Sequence, residues 1–257
     1  MDRNALIQFR GVTKDFIAQD GAVTVLRDVN FAVEKNSFTI IYGPSGSGKT
    51  TILNMLLGLL PPTKGTVIVG GKDLYSLSQN DRAKFRAQHY GVVSQTNNWI
   101  SSLSVLENVA LPLYLQGVDQ KNATKRALES LERVGLEAYA RYRPTVLSTG
   151  QQQRISMARA TVQTPMLLIA DEPTGNLDTA NGDLIMKLIT NLKNHQDVTI
   201  VLVTHNMDYL TLSDHRLFIR DGVLKEDAGG YQSDEEKKTA LVASVGTTAQ
   251  RKQKGVS

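Results

Sequence analysis

The chain has 257 residues, 41% of them hydrophobic and 21% charged, and its 29 Lys and Arg against 25 Asp and Glu leave a net charge of +4. That balance excludes a disordered or collagenous chain and suits one large folded unit, or one with a subdomain. The lack of any cysteine excludes disulfides, thiolate metal sites and cysteine nucleophiles, and the mild basic excess is weak grounds for a nucleic-acid partner.

In chain order, the first 35 residues read as β-rich. FTIIY (Phe38–Tyr42) is continuously apolar, which predicts a strand buried on both faces. GPSGSGKT (43–50) follows it directly, and TILNMLL opens a helical pattern. This is a P-loop in the strand-to-helix context that such a loop requires. Gly43, Ser45, Gly46, Ser47, Gly48 and Thr51 belong to the candidate nucleotide cradle. Its glycines let backbone N–H groups turn in on phosphate oxygens, and the helix N-terminus adds partial positive charge. Lys49 would neutralise the β- and γ-phosphates, and Thr50 would place a hydroxyl on Mg²⁺, a hard cation that prefers oxygen ligands. By itself this loop means an NTPase and nothing narrower.

The apolar stretch 52–60 is broken by Asn54 and Gly58 and stops at Pro61, far short of the roughly 20 residues of a membrane span. The N-terminus MDRNALIQFR lacks a signal peptide's apolar core. Both features predict a cytoplasmic protein whose membrane business runs through a partner. No strand run appears at 102–142, whereas Ala127, Leu128, Leu131 and Val134 form an amphipathic stripe with Gly135 as its C-cap. A helical insertion of about 96–160 is therefore expected within the sheet unit.

MLLIA (166–170) and TIVLV (199–203) predict two more buried strands. Between them, Leu184, Ile185, Leu188, Ile189 and Leu192 repeat at helical spacing over 180–194. The recurrence of strand, helix and strand argues a parallel α/β sheet. Asp171 and Glu172 fall at the carboxyl edge, where open α/β sheets bind ligands. Asp171 would hold the Mg²⁺ shell while Glu172 orients and polarises the attacking water. His205, just past the third strand, would contact the γ-phosphate. Taken singly, an Asp-Glu pair often caps a helix and a lone His is more often structural; their order after a P-loop is what points all three at one phosphate. Residues 217–226 read as a hairpin turning at Asp221-Gly222. From Gly229 the composition turns polar, so a solvated tail is expected at 229–257 and the folded unit at 1–228.

Leu147-Ser148-Thr149-Gly150-Gln151 resembles the LSGGQ signature of ATP-binding-cassette (ABC) ATPases. The resemblance runs in order over 6–226 through the P-loop, Gln95 in GVVSQ, the signature, ADEPTGNLD (170–178) and His205. The wording ENVALPL (107–113) and ADEPTGNLD is similar to the branch of macrolide-exporter, lipoprotein-release and cell-division ATPases, the MacB, LolD and FtsE types. The resemblance implies an α/β, P-loop NTPase fold of the ABC-ATPase kind: a mostly parallel sheet core, an N-terminal antiparallel β subdomain and an inserted α-helical subdomain. It implies an ATPase whose two copies, a homodimer, bury two Mg-ATP and drive a separate membrane permease from the cytoplasmic face, with no nucleic acid involved. The alternative is a cell-division-type signalling ATPase that moves no substrate.

By the same resemblance, Ser148, Thr149, Gly150 and Gln151 would act in trans on the partner's γ-phosphate. An S-x-x-Q capping box is the bland use of Ser148 and Gln151, and both uses are compatible. Gln95 would touch Mg²⁺ and the lytic water and report to the permease, Asp178 would be the loop aspartate exchanged across the dimer, and Phe16 would stack on adenine. The sequence departs from the pattern at Thr149, where the first signature glycine usually stands, at Asn36, which replaces a glycine but tolerates a left-handed turn, and at Phe16, which replaces a tyrosine. Trp99, the sole tryptophan, is either an exposed docking residue or part of the helical core.

Overall fold

The structure is a computed structural model that describes residues 5–18, 21–195 and 197–226. The expected tail at 229–257 lies outside the described residues.

Strands β1 (Ala5–Ala18) and β2 (Gly21–Glu34) form a long antiparallel pair, with Phe9 stacked on Phe31 at 4.5 Å between ring centroids. Then come β3 (Phe38–Tyr42) and α1 (Lys49–Leu56). The hairpin of β4 (Lys64–Val69) and β5 (Lys72–Asp73) returns to β1, so the first sheet runs β2-β1-β4-β5 and is antiparallel throughout. Next are α2 (Gln79–His89) and β6 (Tyr90–Val93), followed by α3 (Val105–Leu115), α4 (Gln120–Arg133) and α5 (Thr149–Thr161). The chain then alternates through β7 (Leu167–Asp171), α6 (Thr179–His195) and β8 (Thr199–Thr204), and closes with β9 (His215–Arg220) and β10 (Val223–Glu226). This second sheet has the order β10-β9-β3-β8-β7-β6 and is parallel except for the β9–β10 hairpin. The expected fold class therefore holds: a mostly parallel core, an antiparallel N-terminal sheet, and helices between β6 and β7.

Strand alternation explains the layering. Ile41, Leu167, Ile169, Val201 and Val203 face α1 and the first sheet, whereas Ile40, Tyr42, Leu168, Ala170, Ile200 and Leu202 face Ile185, Met186 and Ile189 of α6. Each fully buried side chain of this size contributes about 1.5–3 kcal/mol. The helices α3, α4 and α5 keep a core of their own around Val109, Leu113, Ala127, Leu131 and Ile155.

Three expectations shift. The strand expected at 166–170 is Leu167–Asp171, because Asp171 still pairs with Val203. The helix expected over 180–194 runs one residue further at each end. On α4 the buried line is Ala123, Ala127 and Leu131, while Leu128 is 39% exposed, because one residue turns the helix by about 100° away from that line. Among the described residues no helix is long and apolar enough to cross a membrane.

Candidate functional site

The loop between β3 and α1 is shaped by both sheets. A Cβ on Gly43 would lie 2.0 Å from the Ile219 carbonyl oxygen, and one on Gly48 (φ +110) 2.7 Å from Leu26 Cδ2, so only glycine fits. Gly48 is the N-cap of α1 and supplies no side-chain cap. The first-turn N–H groups of α1 are thus left for an anion. Ser47 Oγ, buried beside them, has no hydrogen-bond partner, a deficit that a phosphate oxygen would relieve. Lys49 is buried, and its Nζ donates to the carbonyls of Gly43 and Pro44, both at 2.8 Å. Burial lowers its pKa, against the opposing pull of Glu172 and Asp171.

Leu167, Ile169 and Asp171 share the strand face turned toward α1, which brings the Asp171 carboxylate to Lys49. Burial raises the Asp171 pKa above the ordinary carboxylate range; the Glu172 carboxylate raises it further and Lys49 opposes. Glu172 sits at φ +46, a left-handed conformation that costs a non-glycine residue about 1–2 kcal/mol. Its N–H donates to Val203 O at 2.9 Å, and its own carbonyl accepts from Gly175 N at 3.1 Å. These bonds hold the strain at a point where strain commonly marks function. Glu172 Oε1 lies 2.9 Å from His205 Nδ1, while Oε2 is buried with no partner.

These parts converge. One cleft of about 270 Å³ is lined by Ser45, Gly46, Gly48, Lys49, Thr50, Thr51, Gln95, Asp171 and Glu172, with Val25 and Val203. A neighbouring recess of about 220 Å³ joins Glu172 and His205 to Asp178. Asp178 also caps α6, accepting from Asn181 N at 2.8 Å. Sequence reading missed Val25 and Val203 as cleft residues; Val25 reaches the loop only through β2's approach to the β9–β10 turn, where Arg27 N donates to Gly222 O.

Other candidates lie apart from this cleft. Phe16 is 40% exposed on β1 and pairs with Val23, two residues from Val25 on β2, with Lys14 Nζ 5.2 Å from its ring centroid. None of Ser148, Thr149, Gly150 and Gln151 lines the cleft; they open α5. There both bonds of the capping box form: Gln151 N donates to Ser148 Oγ at 3.3 Å, and Ser148 N to Gln151 Oε1 at 3.0 Å. Trp99 packs half-buried against the helical core, donating to Gln152 Oε1 at 2.9 Å beneath the Arg159 guanidinium. Asn36 takes φ +58, the left-handed turn expected of it.

The oxygens at the cleft fit Mg²⁺. Thr50, Gln95 and Asp171 offer hard donors, and Glu172 Oε2 is unsatisfied. Among the described residues no cluster of three or more His, Cys, Asp or Glu is arranged to hold a metal unaided, which suits an ion that takes most of its ligands from phosphate and water.

The ABC transporter family matches residues 26–175. The chain is 38% identical over 207 residues to the ABC transporter ATP-binding protein YtrE of Bacillus subtilis, covering 80% of this chain and 90% of that one. It is 40% identical over 225 residues to the lipoprotein-releasing system ATP-binding protein LolD of Shewanella frigidimarina, covering 87% and 93%. Among solved structures, the dimeric ABC transporter cassette MJ0796 matches with a TM-score of 0.81 at 36% identity, over 86% of this chain and 97% of that one. The same cassette is also known as a dimer in a post-hydrolysis state bound to ADP and Pi, with a TM-score of 0.81 at 35% identity over the same shares.

Proposed function

This chain belongs to the ABC transporter family, and from that premise we propose that two copies close on two Mg-ATP, each lending its P-loop to one nucleotide and residues 148–151 to the other. The chain is an ABC-type ATPase, the ATP-binding subunit of a transporter. These relatives do not favour the alternative in which no substrate moves. The observation that carries the two-copy reading is that the start of α5, a capped helix N-terminus with Ser148 and Thr149 exposed, does not line its own chain's cleft. The dimeric MJ0796 cassette supports it.

In this reading Lys49 trades its two carbonyls for the β- and γ-phosphates, joined by the loop N–H groups and Ser47 Oγ. Thr50, Asp171 and Gln95 would hold Mg²⁺, which supplies neutralisation of phosphate charge. Glu172 Oε2 accepts a hydrogen bond from the attacking water and draws off its proton, while His205 fixes the other carboxylate oxygen. The water oxygen bonds to the γ-phosphorus as the bond to the bridging oxygen breaks, leaving ADP and phosphate. Phe16, in line with Val23 and Val25, stacks on adenine. Asp178 meets the partner copy, and Gln95 reports to a membrane permease. Residues 1–228 form the working unit, with the helical insertion at about 96–160 facing that permease. The permease holds the pair at the cytoplasmic face of the membrane, and nucleic acid has no part.

The test is steady-state phosphate release with Mg-ATP. Glu172→Gln should cut turnover by about 100-fold or more while leaving binding of a fluorescent ATP analogue intact. Unchanged turnover would remove Glu172 from the chemistry.

A further inference from the structure

Gly150 stands second in α5, inside the first turn, where glycine is poorer than alanine by about 0.5–1 kcal/mol. The helix alone gives no reason for it. The reason lies across the chain in α6: a Cβ on Gly150 would fall 2.5 Å from Asn181 Oδ1 and 2.7 Å from Asn181 Cγ. The Asn181 amide therefore packs directly on the bare Cα of Gly150.

Asn181 is itself held fast. Its backbone N donates to Asp178 Oδ1 at 2.8 Å, and its Nδ2 donates to Asp178 Oδ1 and Oδ2 at 3.0 and 2.9 Å. The donor end of one amide thus grips Asp178 while its acceptor end abuts Gly150. The next residue, Gly182, is buried, and a Cβ there would meet Tyr209 Oη at 3.1 Å. The start of α6 is thus also packed closely against the segment Met207–Leu212.

We propose that Asn181 is a positioning residue that locks the Asp178 turn to the first turn of α5 within one subunit, so that Asp178 and residues 148–150 meet the partner copy as one rigid edge. The proposal rests on the two-copy reading above. It also explains why position 150 must be glycine independently of any contact with phosphate: a side chain there would push Asn181 off Asp178 and separate the two surfaces.

The experiment compares the full chain as wild type, Asn181→Ala, Gly150→Ala and the double variant, reading kcat and KM for ATP together with amide hydrogen exchange at residues 149–153. Asn181→Ala should lower kcat by about tenfold with KM within about twofold, since misplacement of a positioned group costs turnover rather than uniform binding. Its α5 first-turn amides should exchange faster, and those of the P-loop should not. Gly150→Ala should lose more, and removing the Asn181 side chain from that variant should restore kcat to the Asn181→Ala level. Independent, multiplicative losses in the double variant would overturn the proposal, as would wild-type kcat and exchange in Asn181→Ala. If the wild-type chain hydrolyses no ATP, the ATPase reading fails instead. Exchange then decides the contact: faster exchange in Asn181→Ala supports it, and unchanged exchange overturns it.

Discussion

Asp171 is stabilising for function and costly for folding. Its carboxylate is pushed above the ordinary range first by burial, then by the neighbouring Glu172, with Lys49 only partly offsetting both. A carboxyl whose folded pKa exceeds its unfolded one stabilises the fold at low pH, and that contribution is lost as pH rises through the folded value. The penalty on the nucleotide-free chain therefore grows as pH rises. Asp171→Asn should raise the Tm of the nucleotide-free chain by about 2 °C at pH 7, with a smaller gain near pH 4, because a raised carboxyl pKa makes the penalty shrink as pH falls. Phosphate release should fall at the same time. An equal gain at both pH values, measured by thermal melts, would show that charge is not the cause. Glu172 carries a related tension, since its left-handed backbone and orphaned Oε2 are both unfavourable until a substrate fills the cleft.

At the scale of elements, α1 and α5 use opposite solutions to the same problem of bare N–H groups. α1 begins at a glycine with no side-chain cap, and so keeps its first turn for a ligand. α5 begins with a complete capping box, so Ser148 and Gln151 are already satisfied within the chain. The structural and functional readings of Ser148 are thus both open to the same side chain, because its hydroxyl accepts from Gln151 and still has a proton to donate. Thr149, exposed at the first position of α5, adds a methyl to the surface assigned to the partner's nucleotide. Thr149→Gly should lower Tm by about 1–3 °C through lost helix propensity yet raise turnover by about twofold or more if the methyl hinders closure. Thermal melts and phosphate release on the same sample separate these two effects, and unaltered kinetics would show that the methyl is harmless.

For the whole molecule, a nucleotide held between two copies links ligand binding to association. The Glu172→Gln chain with Mg-ATP should elute at twice the monomer mass, return to monomer on chelation of Mg²⁺, and show a Tm that climbs with protein concentration, since ligand and partner both bind only the folded form. Light scattering during size-exclusion chromatography measures the first two outcomes, and a persistently monomeric species would contradict the two-copy site. The two sheets share the load of this assembly: the first crowds the P-loop through Val25 and Leu26, while the second places Asp171 and Glu172 at the end of β7, facing Lys49 at the start of α1.

The phosphate cradle, the carboxylate pair and His205 were legible in the residues alone because a P-loop binds through consecutive backbone N–H groups, and strand ends place their neighbours by simple alternation. These are local properties, so their order along the chain carries their meaning. The three buried strands and the β9–β10 turn were legible for the same reason, to within a residue. Only packing decided the rest. Val25 enters the cleft because β2 lies against Gly222, nearly 200 positions away; Glu172 keeps its strained backbone because Val203 holds it; and Gly150 is explained by Asn181 on another helix. Such contacts join segments with no local pattern in common, and their energies exist only once the layers have closed on one another.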